Sequence, residues 1–255
     1  MIRAGVDIGG TGIKSALVDT RTGELTTPRL RTPTPAHSTP EAVCAVVAEQ
    51  VRELMDTHHG EGTVGIGIPA VVQHGVIQTA AHLDASWVGV DAEGVLSRAV
   101  GRDIVLLNDA DLAGVAETRL GVAKDTPGVI LMLTLGTGIG SAMFVDGVLV
   151  PNLELGHIEI RGKAGESRAA ASVRERKELS WSDWIERLNE YLDRIEQLVW
   201  PDVIVLGGGI TRKSEKFADQ LVTRAELRIA ALRNHAGIVG GALLAADHDR
   251  AASAG

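Results

Sequence analysis

Two glycine-rich segments of the chain have the composition of phosphate-binding turns. The first, DIGGTGIKSAL at residues 7–17, lies between hydrophobic stretches whose alternation predicts strands over 2–8 and 13–19. A turn with so few side chains lets backbone N–H groups and the Thr11 hydroxyl approach phosphate oxygens. The segment is not a P-loop, because no glycine immediately precedes Lys14 and a strand, not a helix, is predicted to follow. We therefore expect a phosphate-binding β-hairpin, with candidate residues Asp7, Gly9, Gly10, Thr11, Gly12 and Lys14.

Asp7 lies at the end of the first predicted strand, beside the turn. A carboxylate and a phosphate can share a small site only when a cation lies between them, and Mg²⁺ is the usual cation of phosphate chemistry. We therefore predict that Asp7 binds Mg²⁺ through water.

The second glycine-rich segment repeats the first in its predicted architecture. In LTLGTGIGSAM (133–143), the turn lies between predicted strands over 129–135 and 139–145, and its candidate donor-binding residues are Gly136, Thr137, Gly138 and Gly140. The spacing is not that of a dinucleotide fingerprint, and no helix is predicted to begin after it. A third glycine run, Gly207, Gly208 and Gly209, follows a predicted strand over 203–206. Together these features predict two lobes that hold one polyanion between them.

Asn108 and Asp109 are the candidates for chemistry at an acceptor hydroxyl. They follow a predicted buried strand over 104–107, and ligands of α/β proteins collect at the carboxyl ends of strands. A carboxylate there could accept the proton of a hydroxyl as the oxygen attacks phosphorus. We predict Asp109 as this base and Asn108 as a hydrogen-bonding neighbour of the substrate. A helix N-cap is the alternative for the same two residues.

The segment PNLELGHIEI (151–160) adds groups suited to a polyol. Glu154 and His157 are three positions apart, and carboxylate and neutral imidazole both bind hydroxyls. Glu166 is a further candidate hydroxyl acceptor. A metal role for His157 would need soft ligands nearby, and the sequence offers none.

Composition limits the class of protein. The chain has 255 residues, 45% hydrophobic and 23% charged, with a formal net charge of −8. This acidic balance argues against a nucleic-acid partner but permits an anionic ligand at a local basic patch, for which Lys14, Lys213 and Lys216 are candidates together with Arg212. The single cysteine, Cys44, excludes a disulfide framework, and no apolar run approaches the roughly 18 residues of a membrane span. We expect a cytoplasmic protein without a membrane partner.

The remaining pattern predicts elements that position these residues. A strand is expected near 25–31, and helices are expected over 40–58 behind a Thr39 cap, over 91–100 and over 110–120. Residues 151–179 have no regular pattern, Ser180 should cap a helix with a wide apolar stripe, and 236–246 should form a helix whose following nine residues fray. No linker divides the chain, so we expect an N-terminal lobe of 1–110 plus 237–255 and a C-terminal lobe of 111–236.

The ordered segments DIGGT, LTLGTGIG and VLGGGI resemble those of the sugar kinase, Hsp70 and actin superfamily. This resemblance implies an α/β, two-lobed actin-like ATPase (ribonuclease H-like) fold with one phosphate hairpin in each lobe and the triple glycine near an adenosine site. The Glu-x-Gly-His element after the second hairpin is similar to that of the ROK family. Many ROK proteins then carry a cysteine-rich zinc motif, which RGKAGESRAAASVRER replaces here, so zinc is not expected.

Further segments resemble the ROK members that use inorganic polyphosphate: DIGGTGIK, LTLGTGIGSA, LVPNLELGH, ELSWSDWIERLNEYL and GGGITRKSEKF. The resemblance implies Mg²⁺-dependent transfer of the terminal phosphate of polyphosphate, with ATP as a further donor, to the 6-hydroxyl of glucose. It also implies a homodimer. HLDASW (82–87) departs from the Asn-containing acceptor loop of that group, so His82 or Asp84 could contact the sugar, and mannose stays open as an acceptor.

Three alternatives remain at this point. An ATP-dependent glucokinase or glucomannokinase is one, because glycine hairpins bind the terminal phosphoanhydride of either donor. A sugar-sensing ROK regulator would need a DNA-binding helix pair, whereas the first predicted strand begins at residue 2. An actin-like assembly protein would not need Asn108 and Asp109 together with Glu154 and His157.

Overall fold

The structure, a computed structural model, describes residues 1–81 and 83–254. The chain divides into unit 1, Met1–Ala116 with His235–Gly255, and unit 2, Glu117–Asn234. The strands are β1 (Ile2–Gly9), β2 (Gly12–Asp19), β3 (Leu30–Thr32), β4 (Val64–Ile68), β5 (Val72–Gln73), β6 (Val76–Ile77), β7 (Ile104–Asn108), β8 (Val129–Leu135), β9 (Ile139–Val145), β10 (Val148–Val150), β11 (Glu159–Ile160), β12 (Lys163–Ala164), β13 (Val203–Gly207) and β14 (Glu226–Ile229). The helices are α1 (Pro40–Asp56), α2 (Ala92–Val100), α3 (Asp109–Arg119), α4 (Glu166–Ala169), α5 (Ala171–Arg176), α6 (Trp181–Val199) and α7 (Ala236–Ala254).

Unit 1 is built on a sheet with the strand order β3-β2-β1-β4-β7. β1 and β2 form an antiparallel hairpin, and β4 and β7 continue the sheet in parallel with β1. The apolar stripe of α1 is buried in the same core as β1 and β4, and it contributes Val43, Val47, Val51 and Leu54. Thr39 caps this helix by accepting from the Ala42 N–H, as its position before Pro40 predicts.

Helix α7 packs backbone against backbone on the sheet of unit 1. A Cβ built at Gly65 of β4 would overlap the carbonyl oxygen of Gly241, so this approach requires glycine. The helix continues to Ala254, and the expectation that it ends near 246 is wrong. Asp249 explains the difference, because its carboxylate accepts from Arg3 Nε at 2.5 Å and from Thr63 Oγ1 at 2.5 Å. These bonds tie the last turns of the helix to the sheet.

Unit 2 is built on a second sheet with the order β10-β9-β8-β13-β14. β8 and β9 form its antiparallel hairpin, while β13 and β14 run parallel to β8. Ser180 caps α6 by accepting from the Asp183 N–H at 3.1 Å, which confirms the predicted helix start. Trp184 of α6 is fully buried and meets Phe217 edge to face, with ring centroids 5.2 Å apart. The tryptophans of this helix therefore belong to a core, as their spacing indicates.

Two other expectations are corrected. Residues 151–179 are not irregular, since they contain β11, β12, α4, α5 and a short 3-10 turn over Leu155–His157. The strand expected near 25–31 covers Leu30–Thr32 only, with a single bridge from Leu25 to Val18 before it. Within residues 1–81 and 83–254, no helix has both the length and the apolar character to cross a membrane.

Candidate active site

The first phosphate hairpin is the β1–β2 connection of unit 1. Gly9 pairs with Gly12, and the two-residue turn of Gly10 and Thr11 is exposed. Asp7 pairs with Lys14 across the same ladder, and Lys14 Nζ donates to Asp7 Oδ2 at 2.8 Å. The exposed turn is thus bordered by an ammonium and a carboxylate, which are the groups a phosphate site with a bound cation needs.

Asp7 is also close to the first turn of α7. A Cβ built at Gly237 would lie 3.4 Å from Asp7 Oδ1, so a larger residue there would crowd the carboxylate. The N-terminus of a helix carries partial positive charge and interacts favourably with an anion. Lys14 and the helix end therefore hold the Asp7 carboxylate from two directions.

Asn108 and Asp109 lie where β7 ends and α3 begins. The Asn108 Oδ1 accepts from the N–H groups of Ala110 at 2.8 Å and Asp111 at 3.3 Å, so Asn108 is the N-cap of α3. Its Nδ2 donates to the Ala70 carbonyl at 3.1 Å, which fixes the amide. The cap thereby sets the backbone of Asp109, whose half-buried side chain begins the first turn of the helix. Any contact of Asn108 with a substrate would use its second amide hydrogen, because its oxygen already accepts two bonds.

The second phosphate hairpin is the β8–β9 connection of unit 2. Leu135 pairs with Ile139, and the turn between them is closed by a bond from the Gly136 N–H to the Gly138 carbonyl at 3.0 Å. Ser172, at the start of α5, also braces this turn. Its N–H donates to Gly136 O at 3.0 Å, and its hydroxyl donates to Thr137 O at 2.6 Å. Because Ser172 bonds to both carbonyls, the conformation of the turn is fixed before any phosphate binds.

The triple glycine lies against the second hairpin. Gly207 ends β13 and pairs with Thr134 of β8. Gly208 has a φ of 89°, and a Cβ there would overlap the carbonyl oxygen of Leu135, so both its conformation and its surroundings require glycine. Gly209 begins the 3-10 segment Gly209–Lys216, on which Lys213 and Lys216 are exposed.

The polyol-binding candidates gather in the same unit. His157 Nε2 lies 3.4 Å from Glu154 Oε2, and about half of the His157 side chain is exposed. Glu166 Oε2 accepts from the Ile139 N–H at 3.1 Å, directly after the second hairpin, and lies 3.3 Å from the Cβ position of Gly156. Glu166 thus links the Glu-x-Gly-His element to the hairpin.

The two candidates in the predicted acceptor loop are His82 and Asp84, and the structure describes the second of them. His82 lies outside the described residues. Asp84 caps a 3-10 turn over Ala85–Trp87 and accepts from the Ser86 N–H at 2.9 Å. Hydrogen bonds from Ser86 hold the pKa of Asp84 below its ordinary value. Asp84 therefore has a local structural role, whatever it contacts in a complex.

Sequence reasoning missed Ser172 and Arg31. Arg31 Nη2 donates to the Thr11 carbonyl at the tip of the first hairpin. The sequence gives little reason to single out these two residues, because serine and arginine are common in exposed segments. Only the tertiary structure brings Ser172 to the second hairpin and Arg31 to the first.

The fold and the candidate residues agree with one class of protein. Two α/β units, each with a glycine hairpin, and an aspartate directly after β7, the parallel edge strand of its sheet, fit the sugar-kinase class of the actin-like ATPase fold. The chain belongs to the ROK family, whose model matches residues 3–169.

Several relatives cover nearly the whole chain. Polyphosphate glucokinase of Mycobacterium tuberculosis (strain CDC 1551 / Oshkosh) is 44% identical over 240 residues, which are 94% of this chain and 89% of the relative. The crystal structure of the inorganic polyphosphate/ATP-glucomannokinase from Arthrobacter sp. strain KM superposes with a TM-score of 0.94 at 43% identity, covering 97% of this chain and 99% of that one. A ROK family glucokinase from Streptomyces griseus, in complex with glucose and AMPPNP, has a TM-score of 0.84 at 21% identity and covers 97% and 100%, which supports the fold.

Proposed function

We propose that the protein is a phosphotransferase that moves the terminal phosphate of inorganic polyphosphate, and also that of ATP, to the 6-hydroxyl of glucose. The observation that carries this proposal is the similarity of nearly the whole chain to polyphosphate glucokinases and to a polyphosphate/ATP-glucomannokinase. The hairpins offer backbone N–H groups and Asp109 offers a carboxylate, which are the kinds of group that this reaction uses.

Asp109 is the proposed general base. The Asn108 cap fixes its backbone, and the helix end interacts favourably with its carboxylate. As the 6-oxygen of glucose attacks the terminal phosphorus, its proton moves to the Asp109 carboxylate and the phosphoanhydride bond of the donor breaks. Glucose 6-phosphate results, and polyphosphate shortened by one phosphate, or ADP, leaves. Asn108, Glu154, His157 and Glu166 are the proposed contacts of the other sugar hydroxyls.

The two hairpins and the triple glycine are the proposed donor-binding groups. Backbone N–H groups suit a terminal phosphate because they neutralise charge without the bulk of side chains. Asp7 fits a Mg²⁺ site, since Mg²⁺ in phosphate chemistry commonly uses one or two carboxylates together with substrate phosphates and water. When bound, Mg²⁺ neutralises charge on the donor. The carboxylate of Asp7, which accepts from Lys14, would hold the ion through water.

Mannose as a second acceptor and a homodimeric assembly are further parts of the proposal. The glucomannokinase supports the first by its name and close structural match. An ATP-dependent glucokinase without polyphosphate use stays the alternative, because several more distant relatives are glucokinases.

A four-way assay tests the proposed function. Glucose and mannose are each combined with ATP and with polyphosphate, and the sugar 6-phosphate is measured. We expect product from glucose with polyphosphate at a kcat/KM at least equal to that with ATP. Product with ATP alone would establish the alternative, and no product with either donor would refute the proposed function.

Lys213 and Lys216 are predicted to help bind polyphosphate. Both are exposed on the segment that follows the triple glycine. The double variant Lys213→Gln/Lys216→Gln should raise the KM for polyphosphate about fivefold at low salt and less at high salt, since exposed charges are screened within about 10 Å at 0.1 M salt. The control variant Lys124→Gln/Lys177→Gln also loses two exposed lysines, and its KM for polyphosphate should change little. If the two double variants have equal KM values for polyphosphate, Lys213 and Lys216 do not help to bind it.

A further inference from the structure

Strand β3 places a second basic residue beside the first phosphate hairpin. In the β2–β3 ladder Lys14 pairs with Arg31, and in the β1–β2 ladder Lys14 pairs with Asp7. Residues paired directly across a ladder project to the same face of the sheet. Asp7, Lys14 and Arg31 therefore share one face, whereas the opposite face carries Ser15, which bonds to Gln50 of α1.

The guanidinium of Arg31 lies against the hairpin itself. Its Nη2 donates to the Thr11 carbonyl at 3.3 Å, and a Cβ built at Gly12 would lie 3.1 Å from its Nε. Lys14 Nζ lies 3.8 Å from the Cβ position of Gly9 on the paired strand. Two cationic side chains thus border the turn that is proposed to bind phosphate.

Arg29 and His235 extend this basic group. His235 ends the 3-10 turn that precedes α7, and its Nδ1 is buried without a hydrogen-bond partner within the described part of the chain. Burial lowers the pKa of His235, and the positive charges of Arg29 and Lys14 lower it further. The unpartnered Nδ1 of His235 could donate a hydrogen bond to a phosphate oxygen.

The two arginines of this group have no carboxylate partner within the described residues. Asp7 is bonded to Lys14, but among residues 1–81 and 83–254 neither Arg29 nor Arg31 forms an ion pair with a carboxylate. Arg31 is exposed and Arg29 is half-buried. In a chain with a net charge of −8, two unneutralised arginines beside a glycine hairpin form a local site for an anion.

We propose that Arg29 and Arg31, together with His235, bind the phosphate groups of polyphosphate that follow the one being transferred. This inference rests on the proposed function. Each internal phosphate of polyphosphate carries a negative charge, and a guanidinium binds phosphate oxygens through paired N–H donors. ATP ends in a nucleoside after its short phosphate chain, so additional arginines beside the hairpin favour polyphosphate as donor.

The test compares arginine variants in direct binding and in kinetics. Arg29→Gln/Arg31→Gln should weaken binding of fluorescently labelled long-chain polyphosphate about tenfold in a titration without glucose, as expected for the loss of about 1.4 kcal/mol. It should also make binding less dependent on salt. In the assay, its KM for long-chain polyphosphate should increase several-fold more than its KM for ATP. Arg31→Lys, which keeps the charge, should recover part of the affinity.

A matched control removes two exposed arginines elsewhere in unit 1. Arg52→Gln/Arg102→Gln has the same change in net charge and should bind polyphosphate as the unmodified protein does. Equal affinities for the two double variants would overturn the inference, and so would an equal increase in the KM for ATP and for polyphosphate. Failure of the proposed function is distinct, because the unmodified protein would then make no product from polyphosphate. Thermal unfolding of each variant verifies that the fold is kept.

Discussion

Asp109→Asn is expected to lower kcat by about 10²–10⁴-fold, the range that a positioned general base contributes. Asparagine keeps the size of the side chain and its place in the first turn of α3, so the cap by Asn108 and the helix remain intact. The amide cannot take the proton from the 6-hydroxyl at neutral pH, because it has no basic oxygen. Glucose should still bind, since the loss is of proton transfer and not of a binding group.

The measurement is kcat with saturating glucose and donor, combined with a glucose titration followed by calorimetry. Asp103→Asn is the control, because Asp103 is exposed directly before β7 and its backbone carbonyl, which the substitution keeps, accepts from the Val64 N–H. Its kcat should equal that of the unmodified protein. Retention of full turnover in Asp109→Asn would exclude Asp109 as the base.

Glu117→Ala is expected to lower the free energy of unfolding of unit 2 by about 3 kcal/mol, because it removes the acceptor of three partly buried N–H groups, each bond contributing about 1 kcal/mol. Only 1% of Glu117 is exposed. Its carboxylate accepts from the N–H groups of Val122 at 3.0 Å, Ala231 at 3.2 Å and Leu232 at 2.8 Å. The carboxylate therefore joins the end of α3 to the segment that precedes α7.

Urea unfolding followed by tryptophan fluorescence measures this loss, since Trp181, Trp184 and Trp200 all lie in unit 2. Glu117→Gln keeps one acceptor oxygen and should lose less stability than the alanine variant. The exposed Glu215→Ala is the control and should unfold as the unmodified protein does. If Glu117→Ala and Glu215→Ala unfold at the same urea concentration, the three bonds do not stabilise the unit.

The sequence predicted the elements whose pattern is local. The α1 cap at Thr39, the α6 cap at Ser180 and the paired strands of both glycine hairpins occur as expected, because capping and alternation act over a few residues. The α/β actin-like fold was also predicted, although this came from the order of the glycine segments and their resemblance to a superfamily. Periodicity alone would not have provided it.

Features that depend on distant residues were missed. The extension of α7 to Ala254 depends on bonds from Asp249 to Arg3 and Thr63, which lie far away in sequence. The short helices α4 and α5 are too brief to show an apolar period, so 151–179 was predicted as irregular.

The residues of the candidate site also divide into those with a local sequence pattern and those that depend on the tertiary structure. The glycines and Asn108–Asp109 could be found from their types and positions after strands, whereas Ser172 reaches the second hairpin only through the fold. Asn108 shows that the N-cap and the substrate-contact interpretations are compatible, because the amide oxygen serves the helix and one amide hydrogen is left. The roles of these residues toward substrate stay predictions.

The glycine contact between α7 and β4 affects the order in which a ribosome can produce a folded molecule. Unit 2 is one continuous stretch, so it can fold soon after its last strand emerges. The other unit cannot close its core until residues 236–254 leave the exit tunnel, because that helix covers strands that are synthesised long before it. Nascent chains shorter than this therefore expose the apolar face of the first sheet, and chaperones have a defined interval in which to protect it.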